Sequence, residues 1–266
     1  MFKKALILIT AVSLSLLAYS DYDMDGVDDA VDKCPNTPFN ELVDIKGCTV
    51  KKAWNKEHLS IIYGISFSEA DYTITKNSDT LSQSIQIDYY YNDFSLQASS
   101  SYYLSDDDSG LNDSFIGAFY RLSPSEELTL RVGGGIILPT YDTELDNNNM
   151  DVMASASFSY MLGKINLFGG YSYTMVNDDD ILGVVSYQDT HSYSMGAGFY
   201  ARSNLYVSGY YTTSESIYKD TTDIETLSLY AFYSIDKNWF TTFSYSYGLS
   251  DSASDNSFTL RLGYYF

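Results

Sequence analysis

The chain has 266 residues, of which 45% are hydrophobic and 16% aromatic, including 27 tyrosines, yet its mean hydropathy is only -0.17. Lysine and arginine number 15 against 35 aspartates and glutamates, a net charge of -20 with pI near 4.1, so no basic footprint exists for a nucleic acid partner. Beyond the first 20 residues no apolar run reaches the length a membrane-spanning helix needs, which excludes a helical membrane protein.

Lys3 and Lys4 precede an apolar run from Ala5 to Leu17, and Ala18-Tyr19-Ser20 puts small residues where a signal peptidase reads. Residues 1–20 are therefore expected to be a secretory signal, with Asp21 starting the mature chain. No cysteine sits at the cleavage point, which argues against a lipoprotein anchor. An exported chain meets an oxidising compartment, so the only two cysteines, Cys34 and Cys48, are expected to form one disulfide.

The next stretch reads D-x-D-x-D-G-x-x-D-x-x-D, with Asp21, Asp23, Asp25, Gly26, Asp29 and Asp32 in place. Calcium takes several hard oxygen ligands, and an EF-hand-type loop supplies them at this spacing, with a glycine for the sharp turn and one backbone carbonyl. Val27 would give that carbonyl, and Asp32 stands where an EF-hand carries the longer glutamate. The expected cofactor is Ca²⁺, held by Asp21, Asp23, Asp25, Val27, Asp29 and Asp32. The competing reading is an acidic, solvated tail. With "KCPNTPFNELVDIKGC" following, the segment closely resembles a thrombospondin type 3 repeat, as found in linkers of the outer membrane protein A family. That resemblance implies calcium coordination and a bridge between Cys34 and Cys48. Residues 21–50 then form a small loop-rich calcium-binding module and residues 51–57 a linker.

From His58 onward, polarity alternates with a period close to two. Leu59, Ile61, Tyr63, Ile65 and Phe67 share one face and Ser60, Gly64 and Ser66 the other, which predicts a strand. Eleven further segments repeat the pattern, at 82–91, 94–104, 114–122, 127–138, 151–161, 164–175, 191–201, 204–213, 225–235, 238–248 and 257–266. Six long polar connections, such as 105–113 and 176–190, alternate with five short ones, such as 92–93 and 123–126. The pattern predicts an all-β fold over residues 58–266: a transmembrane antiparallel up-and-down β-barrel of about 12 strands, with long outer loops and short periplasmic turns. Residues 181–188 also alternate, and an even count makes them an extension of the following strand or a loop folding inward.

The last residues, "FTLRLGYYF", place Phe258, Leu260, Leu262, Tyr264 and Phe266 on one face. This looks like the C-terminal strand signature of bacterial outer membrane proteins. The resemblance implies recognition by the barrel assembly machinery, with Tyr264 and Phe266 as the assembly signal. Together with the export signal it implies the outer membrane of a Gram-negative cell, with lipid and lipopolysaccharide as surroundings, the N-terminal module in the periplasm, and a monomer or an oligomer.

By parity, Gln86, Asp88, Gln97, Arg121, Arg131 and Arg261 face the lumen, amid serine, threonine and glycine. A charge on the lipid face would cost about 2 to 4 kcal/mol at the midplane, so energetics agrees with parity. Asp88, Arg121, Arg131 and Arg261 are candidate pore-lining residues that select solutes by charge; alternatively Asp88 pairs with an arginine and braces the interior. Phe119, Phe168, Tyr206, Tyr210, Tyr230, Phe232 and Phe240 share the inward parity, either as an aromatic path or as filling. Strands about 4.8 Å apart and tilted about 40° give twelve strands a backbone radius of roughly 12 Å, compatible with a narrow channel. His58 and His191 read as girdle residues, since no acyl-transfer motif accompanies them. The leading expectation is thus a narrow channel for small solutes and no enzyme. A structural or adhesive barrel is the first alternative and a lipid-modifying enzyme the second.

Overall fold

The computed structural model describes residues 57–70, 78–105, 108–142 and 147–266, together with Lys33. The expected signal segment, the calcium ligands of residues 21–32, and Cys34 and Cys48 lie outside the described residues. One compact unit runs over Asn55–Tyr200 and Asn204–Phe266 and holds nearly all of the sheet.

The strands are β1 (Glu57–Ala70), β2 (Ser78–Tyr91), β3 (Phe94–Ser105), β4 (Ser109–Leu111), β5 (Ser114–Leu122), β6 (Leu128–Leu138), β7 (Asp151–Leu162), β8 (Ile165–Met175), β9 (Thr190–Arg202), β10 (Leu205–Ser214), β11 (Ile224–Ser234), β12 (Trp239–Gly248) and β13 (Asn256–Tyr265). Apart from β4 and β5, each neighbours the next in the sheet, and β1 also pairs antiparallel with β13 from Ser60 opposite Tyr265 to Glu69 opposite Asn256. The sheet therefore closes on itself and leaves no unpaired edge. Both β4 and β5 pair with β3, interrupted only by Asn112 and Asp113, so they count as one barrel strand and the barrel has twelve. The expected strand bounds agree with these to within a few residues.

Tight turns join the strands at one end. Asn92 (φ 53°) sits in the two-residue turn between β2 and β3, and Gly163 (φ 62°) in that between β7 and β8. Such turns need a left-handed residue to match the twist of the hairpin, and asparagine and glycine adopt it most cheaply. The other end carries the long loops. There carboxylates tie the backbone down: Asp178 Oδ1 accepts from the Asn149 N–H at 2.7 Å, Asp151 Oδ1 from Asn177 N–H at 2.7 Å, and Asp180 Oδ1 from Tyr187 N–H at 2.7 Å.

Residues 181–188 divide in two. Ile181 to Val185 form a turn closed by a bridge between those two residues, with Leu182 and Val184 exposed at 101% and 69%. Residues 186–188 instead extend the run of β9: Tyr187 bridges to Tyr218 as the Gln188 N–H donates to Ile217 O and the Lys219 N–H to Ser186 O, just beyond the Glu215 N–H bond to His191 O.

Burial is inverted relative to a water-soluble domain. Tyr63, Ile65, Phe67, Ile85, Ile87, Leu96, Leu229 and Leu260 stand exposed on the outer wall, whereas Ser60 and Ser228 are among the most buried side chains. Only a lipid surrounding makes such an outer wall favourable over a band this continuous. Aromatic pairs rim it at both ends: Phe94 with Tyr120 at 4.9 Å and Trp239 with Tyr264 at 4.8 Å on the short-turn side, Tyr171 with Tyr193 at 5.1 Å and Tyr245 with Phe258 at 4.8 Å on the loop side.

Candidate functional site: the inner wall of the short-turn half

Strand pairing fixes which residues look inward. Asp88 lies opposite Ser60 on β1 and Gln97 on β3, Arg121 opposite Arg131 across β5 and β6, and Arg261 opposite Gly64 on β1 and Thr242 on β12. All four expected lumen charges therefore occupy the inner face, but they do different things. Asp88, only 6% exposed, takes both its hydrogen bonds from the Gln86 amide, at 3.1 and 2.9 Å. The expected arginine brace is not what holds it: the ion pairs among the described residues are Arg121 with Asp93 and Lys219 with Asp180. Arg121 sits at the end of β5 and reaches 3.2 Å to Asp93 in the turn, so it belongs to the rim. Arg131 lies over the Phe119 ring, 3.8 Å from its centroid, with a long 3.5 Å contact to Ser95 Oγ. Arg261 lines two cavities of the interior with Gln86, one of about 430 Å³ shared with Asp88 and one of about 180 Å³ with Ser84 and Asp113.

The inward aromatics gather on the short-turn half because they occupy strand ends there. They form a run of rings: Tyr90 stacks on His58 at 4.4 Å, His58 meets Tyr265 edge-on at 6.1 Å, Tyr265 stacks on Phe240 at 4.6 Å and Phe240 on Phe232 at 5.4 Å. Further round, Tyr206 packs on Tyr200 at 5.1 Å and Phe168 faces Tyr210 at 6.2 Å. These rings lie along the wall because glycines on neighbouring strands leave room. A Cβ on Gly263 would overlap the Phe240 ring, and one on Gly198 the Tyr206 ring, while a Cβ on Gly196 would stand 2.6 Å from Phe168. Flattened rings leave space beside them: a cavity of about 640 Å³ is lined by Phe168, Tyr206, Tyr210, Tyr230 and Phe232 with Ser194 and Ser208. So these aromatics line an open interior as well as packing it.

His58 corrects the girdle expectation. It occupies an even position of β1, inside the barrel, stacked in the ring run. His191 does sit on the outer rim at the loop end, its Nδ1 2.8 Å from the Tyr171 hydroxyl. Tyr90, Tyr200 and Tyr265 were not singled out by the sequence although their parity was available: Tyr90 is two residues from Asp88, and Tyr265 four from Arg261. No cluster of three or more histidine, cysteine or acidic side chains suited to a metal occurs among the described residues.

Solved structures share this architecture. The porin NanC superposes with a TM-score of 0.54 at 12% identity over 78% of this chain and 98% of that one. The translocator domain of the autotransporter NalP from Neisseria meningitidis does so at 0.51, with 11% identity over 79% of this chain and 88% of that one. At these identities the likeness is one of fold, a porin-like outer membrane β-barrel, and it spans proteins with different tasks. No curated protein matches the sequence. Residues 56–266, the whole barrel, match the family described as "Putative MetA-pathway of phenol degradation", and the chain belongs to that family.

Proposed function

We propose that the protein is an outer membrane channel that passes small solutes through a constriction at the short-turn end of the barrel. One observation carries this reading: the inner wall is built of serine, glycine and aromatic rings laid flat over glycines, so cavities of about 640 and 430 Å³ remain beside them. A barrel whose only task is structural gains more from rings that interlock across the bore. The outward apolar band and the two aromatic rims support membrane insertion with the short turns in the periplasm. In this reading Tyr264 and Phe266 form the signal for the barrel assembly machinery, and lipid and lipopolysaccharide surround the wall. Residues 1–20 direct export, and residues 21–50 form a periplasmic module that binds Ca²⁺ through the aspartates from Asp21 to Asp32.

Reconstitution of the purified protein in planar bilayers tests the channel. Discrete conductance steps are expected. Silence at all voltages would sink the reading and leave a structural or adhesive barrel.

A further inference from the structure

Arg131, Arg261 and Asp88 share one arc of the inner wall with His58, Tyr90, Phe119 and Tyr265. Arg131 on β6 and Arg261 on β13 bound an arc that runs through β1, β2, β3 and β5 and carries Gln86 and Asp88. Tyr210, Tyr230 and Phe232, on β10 and β11, face it. These three rings line both the aromatic cavity and the polar cavity that holds Arg261, so one continuous wall joins the two.

Unlike Arg121, which pairs with Asp93, Arg131 and Arg261 form no ion pair among the described residues. A guanidinium carries five N–H donors in a fork that fits a carboxylate. Arg131 spends itself on the Phe119 ring face and one long contact to Ser95. Among the described residues, no side-chain hydrogen bond or ion pair engages the Arg261 guanidinium, whose aliphatic stem lies over Gly64. Asp88 borders the same cavity as Arg261 but ion-pairs with neither arginine; its oxygens accept from the Gln86 amide.

We infer that the solutes of this channel are small organic anions with a planar apolar body, aromatic carboxylates as a class. The carboxylate exchanges water for the fork of Arg261 in the cavity that Tyr210, Tyr230 and Phe232 also line, the ring slides on those three, and Arg131 offers a second, separate fork further round the wall. Rings already flattened on the wall present their faces to a second ring at little conformational cost, and aromatic pairs favour offset or tilted contact. The acidity of the chain does not contradict this. Many of its carboxylates lie in the loops, where Asp178, Asp180 and Asp189 each accept from a backbone N–H, although Asp88 and Asp113 each border a cavity with Arg261. Salt at about 0.15 M screens such charges beyond about 8 Å, whereas a guanidinium inside the bore meets every solute at contact.

Passage of these solutes rests on the channel reading, but their binding does not, so two measurements separate the failures. In bilayers containing the full-length protein, benzoate should interrupt the current at concentrations where benzylamine and acetate do not. In detergent solution, saturation-transfer NMR should show benzoate bound. In both, the double variant Arg131→Gln with Arg261→Gln should weaken the effect about tenfold or more, while Arg261→Lys, which keeps the charge and loses the fork, should fall between. Conductance that treats benzoate and benzylamine alike overturns the anion class and leaves the channel standing. A silent protein that still binds benzoate through these arginines overturns the channel and leaves the ligand class. Absence of both sinks both.

Discussion

The Phe240 ring lies flat against Gly263 across the β12–β13 ladder, in the space that any side chain at residue 263 would need. Phe240 is 5% exposed, and its neighbours Tyr265 and Phe232 continue the stack on either side. The glycine thus decides whether the ring belongs to the wall or to the bore.

Gly263→Ala is expected to push the Phe240 ring inward, because the opposing strand backbone is fixed by hydrogen bonds and the ring is the softer partner. Overpacking of this kind costs about 1 to 3 kcal/mol. Single-channel conductance should fall relative to the parent protein, and the additional change Phe240→Ala should restore it. An unchanged conductance in Gly263→Ala would show that the constriction lies elsewhere.

Gln86→Leu should leave the Asp88 carboxylate without its donor in a position only 6% exposed. A buried acceptor deprived of its partner costs about 1 to 3 kcal/mol, more when charged. The urea midpoint of the barrel in lipid vesicles should drop, and Asp88→Ala in the Gln86→Leu background should recover part of the loss.

Arg121 offers a contrast. Its ion pair with Asp93 at 3.2 Å has side chains about half exposed, 56% and 50%. Exposed pairs contribute less than about 1 kcal/mol and weaken as salt rises. Arg121→Ala should therefore shift the same urea midpoint little, and not at all at 1 M salt, about where the Debye length falls to 3 Å.

Acid should loosen the loop between β8 and β9 first. Asp189 accepts from the Tyr173 hydroxyl and from the Val176 N–H at 3.0 Å, and these bonds hold its carboxyl below the ordinary range. In Asp180 the Tyr187 N–H, and after it Lys219, have the same effect. A folded-state value lower than the unfolded one contributes order above about pH 4, which is lost as pH falls through the lowered values. Hydrogen-exchange protection factors over residues 176–189, taken relative to the intrinsic rate at each pH, should be high at neutral pH and fall below about pH 4 while the strands stay protected. Asp189→Ala should show the acid behaviour already at neutral pH.

The proposed calcium module predicts one or two sites of about 10⁻⁴ to 10⁻³ M affinity, the range of extracytoplasmic modules. Calorimetry on the refolded, oxidised full chain should detect calcium binding that Asp25→Ala abolishes. Equal binding by the two proteins would make residues 21–50 a solvated acidic tail.

The sequence by itself determined the wall. Period-two alternation is a local consequence of the pleat, so Leu59, Ile61 and Tyr63 declared the outer face of β1, and Asp88, Arg131 and Arg261 the inner one, without knowledge of any neighbour. Turn chemistry at Asn92 and Gly163 likewise needs only the adjoining residues. What surrounds an inward side chain is another matter, because it depends on register and shear between strands distant in sequence. The sheet's closure brings His58 of β1 between Tyr90 and Tyr265, separated from it by 32 and 207 residues, and lays Phe240 over Gly263. Register between adjacent strands gives Arg121 to Asp93 and Arg131 to the face of Phe119, while Asp88 takes the Gln86 amide from two positions along its own strand. Parity assigns a side of the sheet, but only the closed barrel assigns height and partner, and those decide whether an inward charge braces the wall or waits for a solute.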